Sequence, residues 1–274
     1  TPRQNSTAAN DAVRALLEKL TYLRANRKRP SRGYSDGNHP FQPIGYSGEW
    51  TPTILFEKGT EQVTYLEPPV IPNSVDEAKK NEIEWKTKKS TLLAALVDWL
   101  GRLELATHVE VKQSGASKDL HVRVAPKGQN PHDITEIGFG VSQVIPVLVA
   151  GLLQPEDSLL IVDLPEAHLH PRPQGDIADF FCSLALSGRT ALVETHSEMF
   201  FHQLRLRAAM DPRLMENIAV YFIDRPLEGI CSKPRLVDLG YDGELKWPDG
   251  FLQEAWEKES QISAVREAQR ILRG

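Results

Sequence analysis

Cysteine is scarce in this chain: Cys182 and Cys231 stand far apart, and neither belongs to a C-x-x-C pair. That excludes a disulfide framework and a thiolate metal cluster, and fits reduced structural thiols in a cytoplasmic protein. No apolar run approaches the roughly 18–20 residues that cross a bilayer, so no membrane partner is expected. The start, Thr1-Pro2-Arg3-Gln4, lacks both an initiator Met and the apolar core of a signal peptide, as expected of an internal fragment. There is no excess of positive charge either. The formal net charge is -5, which gives no global pull toward nucleic acid, although local basic patches remain open. Repeats and low-complexity tracts are absent. What remains is ordinary: 274 residues with 41% hydrophobic and 25% charged side chains, enough for one large domain or two small ones around a substantial core.

The two halves differ in pattern. Residues 10–25 read as a short helix. Residues 26–80 are rich in Gly, Pro and polar groups and read as loops with short strands. Within 76–104, Leu92–Leu100 is an apolar-rich helix. A strand pair is expected at Thr107–Lys112 and Leu120–Ala125, with a turn around Gly115. The second half alternates: helix Ser142–Leu153, strand Ser158–Asp163, helix Gln174–Leu186, strand Thr190–Glu194, helix Phe200–Ala209, strand Ile218–Ile223. Such alternation predicts an α/β fold with a mostly parallel sheet flanked by helices. A charged amphipathic helix is expected over 251–273, where Phe251, Leu252, Ala255, Trp256, Ile262, Val265 and Ile271 give a partly periodic apolar face. It can close a domain edge or hold a partner.

Three segments at the ends of these elements carry chemistry. In Leu159-Leu160-Ile161-Val162-Asp163, a buried strand delivers a carboxylate to the rim of a sheet, where Asp163 is placed to hold Mg²⁺. Glu166 follows and can polarise an attacking water, which Leu164 cannot do. His168 and His170 come next, between Pro165 and Pro171. Gly138-Phe139-Gly140-Val141-Ser142-Gln143 opens a helix whose free N–H groups suit a phosphate, but a plain glycine turn and cap fits the same residues. Glu194-Thr195-His196-Ser197 puts a histidine at a strand end, where its imidazole can contact or report on a γ-phosphate. A metal-dependent phosphoesterase using Asp163, Glu166, His168 and His196 is a third reading, without dense ligand spacing to support it. Missing altogether is G-x-x-x-x-G-K-[ST], the loop that cradles the β/γ-phosphates.

These residues resemble the ABC/SMC-like ATPases, and in particular prokaryotic ATPases related to the overcoming-lysogenisation-defect and RecF proteins. Gly138–Gln143 resembles the signature motif, with Gly140, Ser142 and Gln143 as its working residues, although Ser142 stands where glycine is usual. Leu159–Asp163 resembles the Walker B strand, His168–Pro171 the distal loop, and Glu194–Ser197 the switch-histidine loop with His196 as sensor. Tyr22-Leu23, Arg27 and Pro30 resemble the region after the phosphate loop, and Gly243–Phe251 the end of an uncharacterised family in this class.

The resemblance implies the C-terminal part of a P-loop ABC-class head. Residues 1–134 would be a partial head with loop-rich, strand and helical segments, 135–251 the lobe with the signature, Walker B and switch loops, and 252–274 a terminal helix. It implies ATP and Mg²⁺ as cofactors, with Asp163 as the metal residue, Gly138, Gly140, Ser142, Gln143 and Asp163 as nucleotide-binding residues, and Glu166 and His196 as catalytic ones. The phosphate loop is expected in a preceding Walker A-containing segment. The implied partners are a second head, in a homodimer or higher oligomer with ATP sandwiched between, and a nuclease or other effector, or DNA. The implied role is an effector or DNA transaction in phage defence or repair. Leu164, at the usual catalytic-glutamate position, leaves two outcomes open: hydrolysis through Glu166, or a hydrolysis-deficient, ATP-clamped scaffold or regulatory subunit. For DNA, Arg24, Arg27, Lys28, Arg29 and Arg32 form the best basic cluster. Asp238, Asp242 and Glu244 read as turn and surface groups.

Overall fold

The computed structural model describes residues 14–15, 17–35, 44–74, 76–77, 84–115, 117–223 and 231–237. The expected helix over 251–273, the Gly243–Phe251 segment and Asp238, Asp242 and Glu244 lie outside them.

Strand β7 (Leu159–Asp163) lies between β1 (Leu20–Leu23) and β8 (Thr190–Glu194), and both pairings are parallel. The register Leu23↔Val162 and Asp163↔Glu194 brings the carboxyl ends of these strands to one edge. β1 corrects the helix expected over 10–25. Residues 14–15 and 17–18 are helical, but the chain then enters the sheet. Leu-Thr-Tyr-Leu contains the β-branched and aromatic types that suit a pleated surface, and pairing with β7 decides the matter.

On β7, Leu160 and Val162 are completely buried. They join the main core with α3 (Phe139–Leu153), which is buried on every face from Val141 to Leu152. A helix that is apolar all round belongs inside a domain. α2 (Leu92–Arg102) buries Leu92, Ala95, Leu96, Trp99 and Leu100, the i, i+3, i+4 stripe of an amphipathic helix, and Thr91 caps it by accepting from the Ala94 N–H at 3.3 Å. Trp99 packs edge-on to Phe180 with ring centroids 5.1 Å apart. α4 (Pro171–Leu186) and α5 (Glu198–Met210) pack on each other beside the sheet, followed by the short α6 (Arg213–Asn217). Among the described residues no helix is long and apolar enough to cross a membrane.

Antiparallel units complete the structure. β2 (Gln62–Glu67) pairs with β3 (Lys86–Thr91), and β4 (His108–Gln113) pairs with β5 (Leu120–Ala125), which also carries the short β6 (His132–Asp133). The β4–β5 pair is the hairpin expected from the sequence. Two features differ from expectation. α1 (Thr51–Lys58) lies inside the stretch read as loops and strands. It is only two turns long, has Pro52 in its first turn where a missing N–H costs nothing, and buries Ile54 and Leu55. The strand expected at 218–223 forms as β9 (Val220–Ile223) but does not join the parallel sheet. It pairs antiparallel with β10 (Pro234–Val237), with Tyr221 and Ile223 facing out.

Candidate functional site

The carboxyl ends of β1, β7 and β8 feed three loops that meet, which is where ligands bind in parallel sheets. Asp163, the last residue of β7, is half-buried, and its Oδ2 accepts a 2.6 Å hydrogen bond from the Tyr22 hydroxyl. Holding that proton raises the Tyr22 phenol above its ordinary pKa. Glu166 is 6% exposed. Its Oε1 accepts from the Thr195 hydroxyl at 2.8 Å and the His196 N–H at 3.0 Å, which ties the loop after β7 to the loop after β8. Its Oε2 is buried with no hydrogen-bond partner. A buried carboxylate oxygen left so is costly, and such groups mark sites that do something.

Between Asp163 and Glu166 the backbone is unusual. Leu164 has φ +46°, a left-handed conformation that costs a side-chain-bearing residue about 1–2 kcal/mol. Its N–H donates to the Glu194 carbonyl at 2.8 Å. From below, Arg27 donates through Nη1 to the Asp163 carbonyl (3.1 Å) and through Nη2 to the Leu164 carbonyl (2.8 Å). Arg27 is 3% exposed; burial pushes its pKa down to about 10, opposed by the charges of Glu166 and Asp163. The sequence places Arg27 with Arg24, Lys28, Arg29 and Arg32 as a nucleic-acid cluster. Structure separates it from them: the other four are exposed, and Arg27 is turned inward onto the loop after β7.

The first turn of α3 packs directly on the loop after β7. A Cβ on Gly140 would stand 2.6 Å from the His168 carbonyl oxygen, and Phe139 stacks edge-on to the His168 ring at 4.7 Å. Gly138 is exposed, with no atom of the described residues within 4 Å of its would-be Cβ. Ser142 and Gln143, read from the sequence as working residues of this loop, are buried. The Ser142 hydroxyl donates to the Phe139 carbonyl (2.7 Å), and the Gln143 amide donates to Ser142 Oγ (3.2 Å) and to the Lys28 carbonyl (3.4 Å). His196 is exposed and contributes its backbone N–H to Glu166.

Gln174 carries no signal in the sequence. Its amide donates to the Leu169 carbonyl (2.9 Å) and its Oε1 accepts from the Ser197 hydroxyl (2.9 Å), so it joins the two loops a second time. Ser197 also caps α5 by accepting from the Phe200 N–H at 3.2 Å.

A protein-family profile described as "AAA domain, putative AbiEii toxin, Type IV TA system" matches residues 4–201. The chain belongs to this family. It is a P-loop ATPase family, in keeping with the Walker B-like strand and the parallel sheet. Among solved structures, the chain is similar to an SMC ATPase from work on "ATP-driven dimerization and DNA stimulated activation of SMC ATPases", with 12% identity and TM-score 0.41 over 63% of this chain and 91% of that one. It is also similar to the Smc head domain with an extended coiled coil, bound to the C-terminal domain of ScpA, from Pyrococcus furiosus: 11% identity, TM-score 0.34, over 63% of this chain and 37% of that one. No curated protein matches the chain.

For a family that uses nucleotide, the acids present fit a magnesium-bound phosphate better than a softer metal. Asp163 and Glu166 offer only oxygen, which suits a hard cation that keeps most of its waters. The phosphoesterase set Asp163, Glu166, His168 and His196 is not assembled: no three such side chains converge to hold a metal among the described residues. His168 is instead exposed, at φ +66°, against Phe139.

The contact of Gly140 with His168 yields a direct test. Gly140→Ala is expected to destabilise the protein by about 1–3 kcal/mol, because the atom in the way is backbone and cannot swing aside. Gly138→Ala, with open space and an ordinary φ of -51°, is expected to stay within about 0.5 kcal/mol of the parent. Urea unfolding of the two variants checks this; equal midpoints would mean the loops do not pack as described.

Proposed function

We propose that this chain is the C-terminal part of an ATPase head that binds ATP with Mg²⁺, dimerises through it and hydrolyses it. The observation that carries the reading is the Glu166 carboxylate: buried in the loop that follows Asp163, bound through one oxygen to the β8 loop, and unpartnered at the other. The phosphate loop would come from a preceding Walker A segment. Asp163 would hold the Mg²⁺, whose part when bound is to neutralise charge on the phosphates. Glu166 Oε2 would orient and deprotonate water, with His196 beside it as sensor. The exposed Gly138 end of α3 would present its free N–H groups to the partner head's nucleotide. Ser142 and Gln143 would then act by shaping that helix start. The two-headed state would gate an effector such as a nuclease, or a DNA transaction through Arg24, Lys28, Arg29 and Arg32, in defence or repair, within the cytoplasm.

A second reading has its own observation. Leu164 occupies the position after the Walker B acid, and Glu166 already serves as a hydrogen-bonded strut between loops. On that reading the head clamps ATP without turning it over, as a scaffold or regulatory subunit.

ATP binding and turnover by the native-length protein decide between them, with Glu166→Gln, Leu164→Glu and His196→Ala as variants. Turnover in the parent that is lost in Glu166→Gln and His196→Ala supports the hydrolysing head. Binding without turnover, with turnover gained in Leu164→Glu, supports the clamp. Absence of binding overturns both.

A further inference from the structure

A leucine is a poor choice for a left-handed turn, yet Leu164 makes one between the two acids of the site. The conformation persists only if its surroundings over-determine it. Three hydrogen bonds to the backbone of the turn do so. The Leu164 N–H is held by the Glu194 carbonyl of β8, and the carbonyls of Asp163 and Leu164 are held together by one guanidinium. Neighbouring carbonyls across a turned peptide match the fixed fork of arginine, and a lysine ammonium has no such fork.

Arg27 is itself fixed from a remote part of the chain. The Arg24 N–H donates to the Tyr46 carbonyl (3.0 Å) and the Lys28 N–H to the Ser47 carbonyl (2.8 Å), so the peptide on either side of it is pinned. Its Nη1 also reaches back to the Arg24 carbonyl at 3.4 Å. Its Nε is buried without a partner. A charge so enclosed is expensive to keep, and a residue needed only for filling space would not be an arginine.

We infer that Arg27 is a positioning residue of the site: its fork onto the Asp163 and Leu164 carbonyls holds the left-handed turn that sets the Asp163 and Glu166 carboxylates. Without the fork Leu164 returns to negative φ, the Asp163–Leu164 peptide rotates, and Glu166 is drawn away from Thr195 and the His196 N–H. The functional weight of this rests on reading Asp163 and Glu166 as the acids of a nucleotide site; the structural link between Arg27 and the turn does not.

Amide hydrogen exchange on the native-length protein, without nucleotide, tests the link independently of any ATPase activity. The reporting amides are Leu164, Ala167, Leu169 and His196, which donate to Glu194, Leu164 and Glu166. Arg27→Gln is expected to speed their exchange about tenfold or more, the scale of losing hydrogen bonds from a charged group, with α3 unchanged. Arg27→Lys should do the same, since it keeps the charge and loses the fork. Leu164→Gly, which adopts the turn without strain, should restore slow exchange when combined with either variant. A merely structural arginine would loosen α3 as well and gain nothing from glycine at 164. Unchanged exchange at the reporting amides, or loosening that Leu164→Gly does not reverse, overturns the inference. Should Arg27→Gln fail to fold, Arg27→Lys alone and with Leu164→Gly gives the same decision. Loss of ATP binding in the parent would count against the nucleotide reading and leave the exchange result standing.

Discussion

Glu166→Gln is expected to lower ATP turnover by the native-length protein about 10²–10⁴-fold, the usual weight of a general base, while ATP binding persists. Glutamine is the informative replacement because of what it keeps. Its amide oxygen can still accept from the Thr195 hydroxyl and the His196 N–H, so the two loops stay joined. What it loses is the basic oxygen at the unpartnered Oε2 position. Glu166→Ala would remove both at once and could not separate chemistry from architecture. Arg27 adds a small cost to the glutamine variant, because Glu166 is one of the two carboxylates whose charge opposes the burial of its guanidinium. Turnover in Glu166→Gln within a few-fold of the parent would remove Glu166 from the chemistry and leave it as a strut.

The elements that could be read from the sequence are those whose pattern is made locally. α2 announces itself by its apolar spacing, β7 by an apolar run ending in an acid, and β8 lies on the residues expected, Thr190–Glu194. α3 and α4 each begin three residues earlier than read, at Phe139 and Pro171, because the glycines and prolines there are first-turn residues and not breakers. β1 was hidden because four residues have no period of their own until β7 supplies a partner. β9 shows the converse: its strand character is visible in the sequence, but nothing local says which strand it will pair with, and it pairs antiparallel with β10 instead of joining the parallel sheet.

The same division runs through the site. Asp163, Glu166 and the Glu194–Ser197 loop were visible because strand ends are visible, and the fold does bring them together. Arg27 reads as one of a basic cluster because nothing in Arg24-Ala25-Asn26-Arg27-Lys28-Arg29 says which arginine turns inward. That choice is made by Tyr46 and Ser47, about twenty residues away in sequence. Gln174 was silent because a glutamine in the first turn of a helix is ordinary until the loop it holds is known. Local chemistry could be read, and the scaffolding that aims it could not.

Asp179→Ala is expected to destabilise the protein by about 3–5 kcal/mol, the cost of stranding a buried charge. Arg207, 3% exposed, donates to Asp179 through Nε at 2.7 Å and Nη2 at 2.6 Å, a paired fork–carboxylate contact, and through Nη1 to the Pro69 carbonyl at 2.7 Å. Asp179 also accepts from the Gln203 amide at 2.7 Å. Alanine leaves the guanidinium enclosed beside the Trp85 ring with the Pro69 carbonyl as its main acceptor. The double replacement Asp179→Leu with Arg207→Met removes both charges and is expected to recover most of the loss. Urea unfolding of the three proteins separates the cases: a loss below about 1 kcal/mol in Asp179→Ala would mean water reaches the pair. The consequence extends to the site, because the pair bolts α4 to α5. α4 begins where the loop after β7 ends, and α5 is capped by Ser197, which Gln174 of α4 also holds. Loosening this bolt is therefore expected to raise amide exchange at His196 as well as in the two helices, although the hydrogen bonds of Asp179 go to Gln203 and Arg207 and not to the loop.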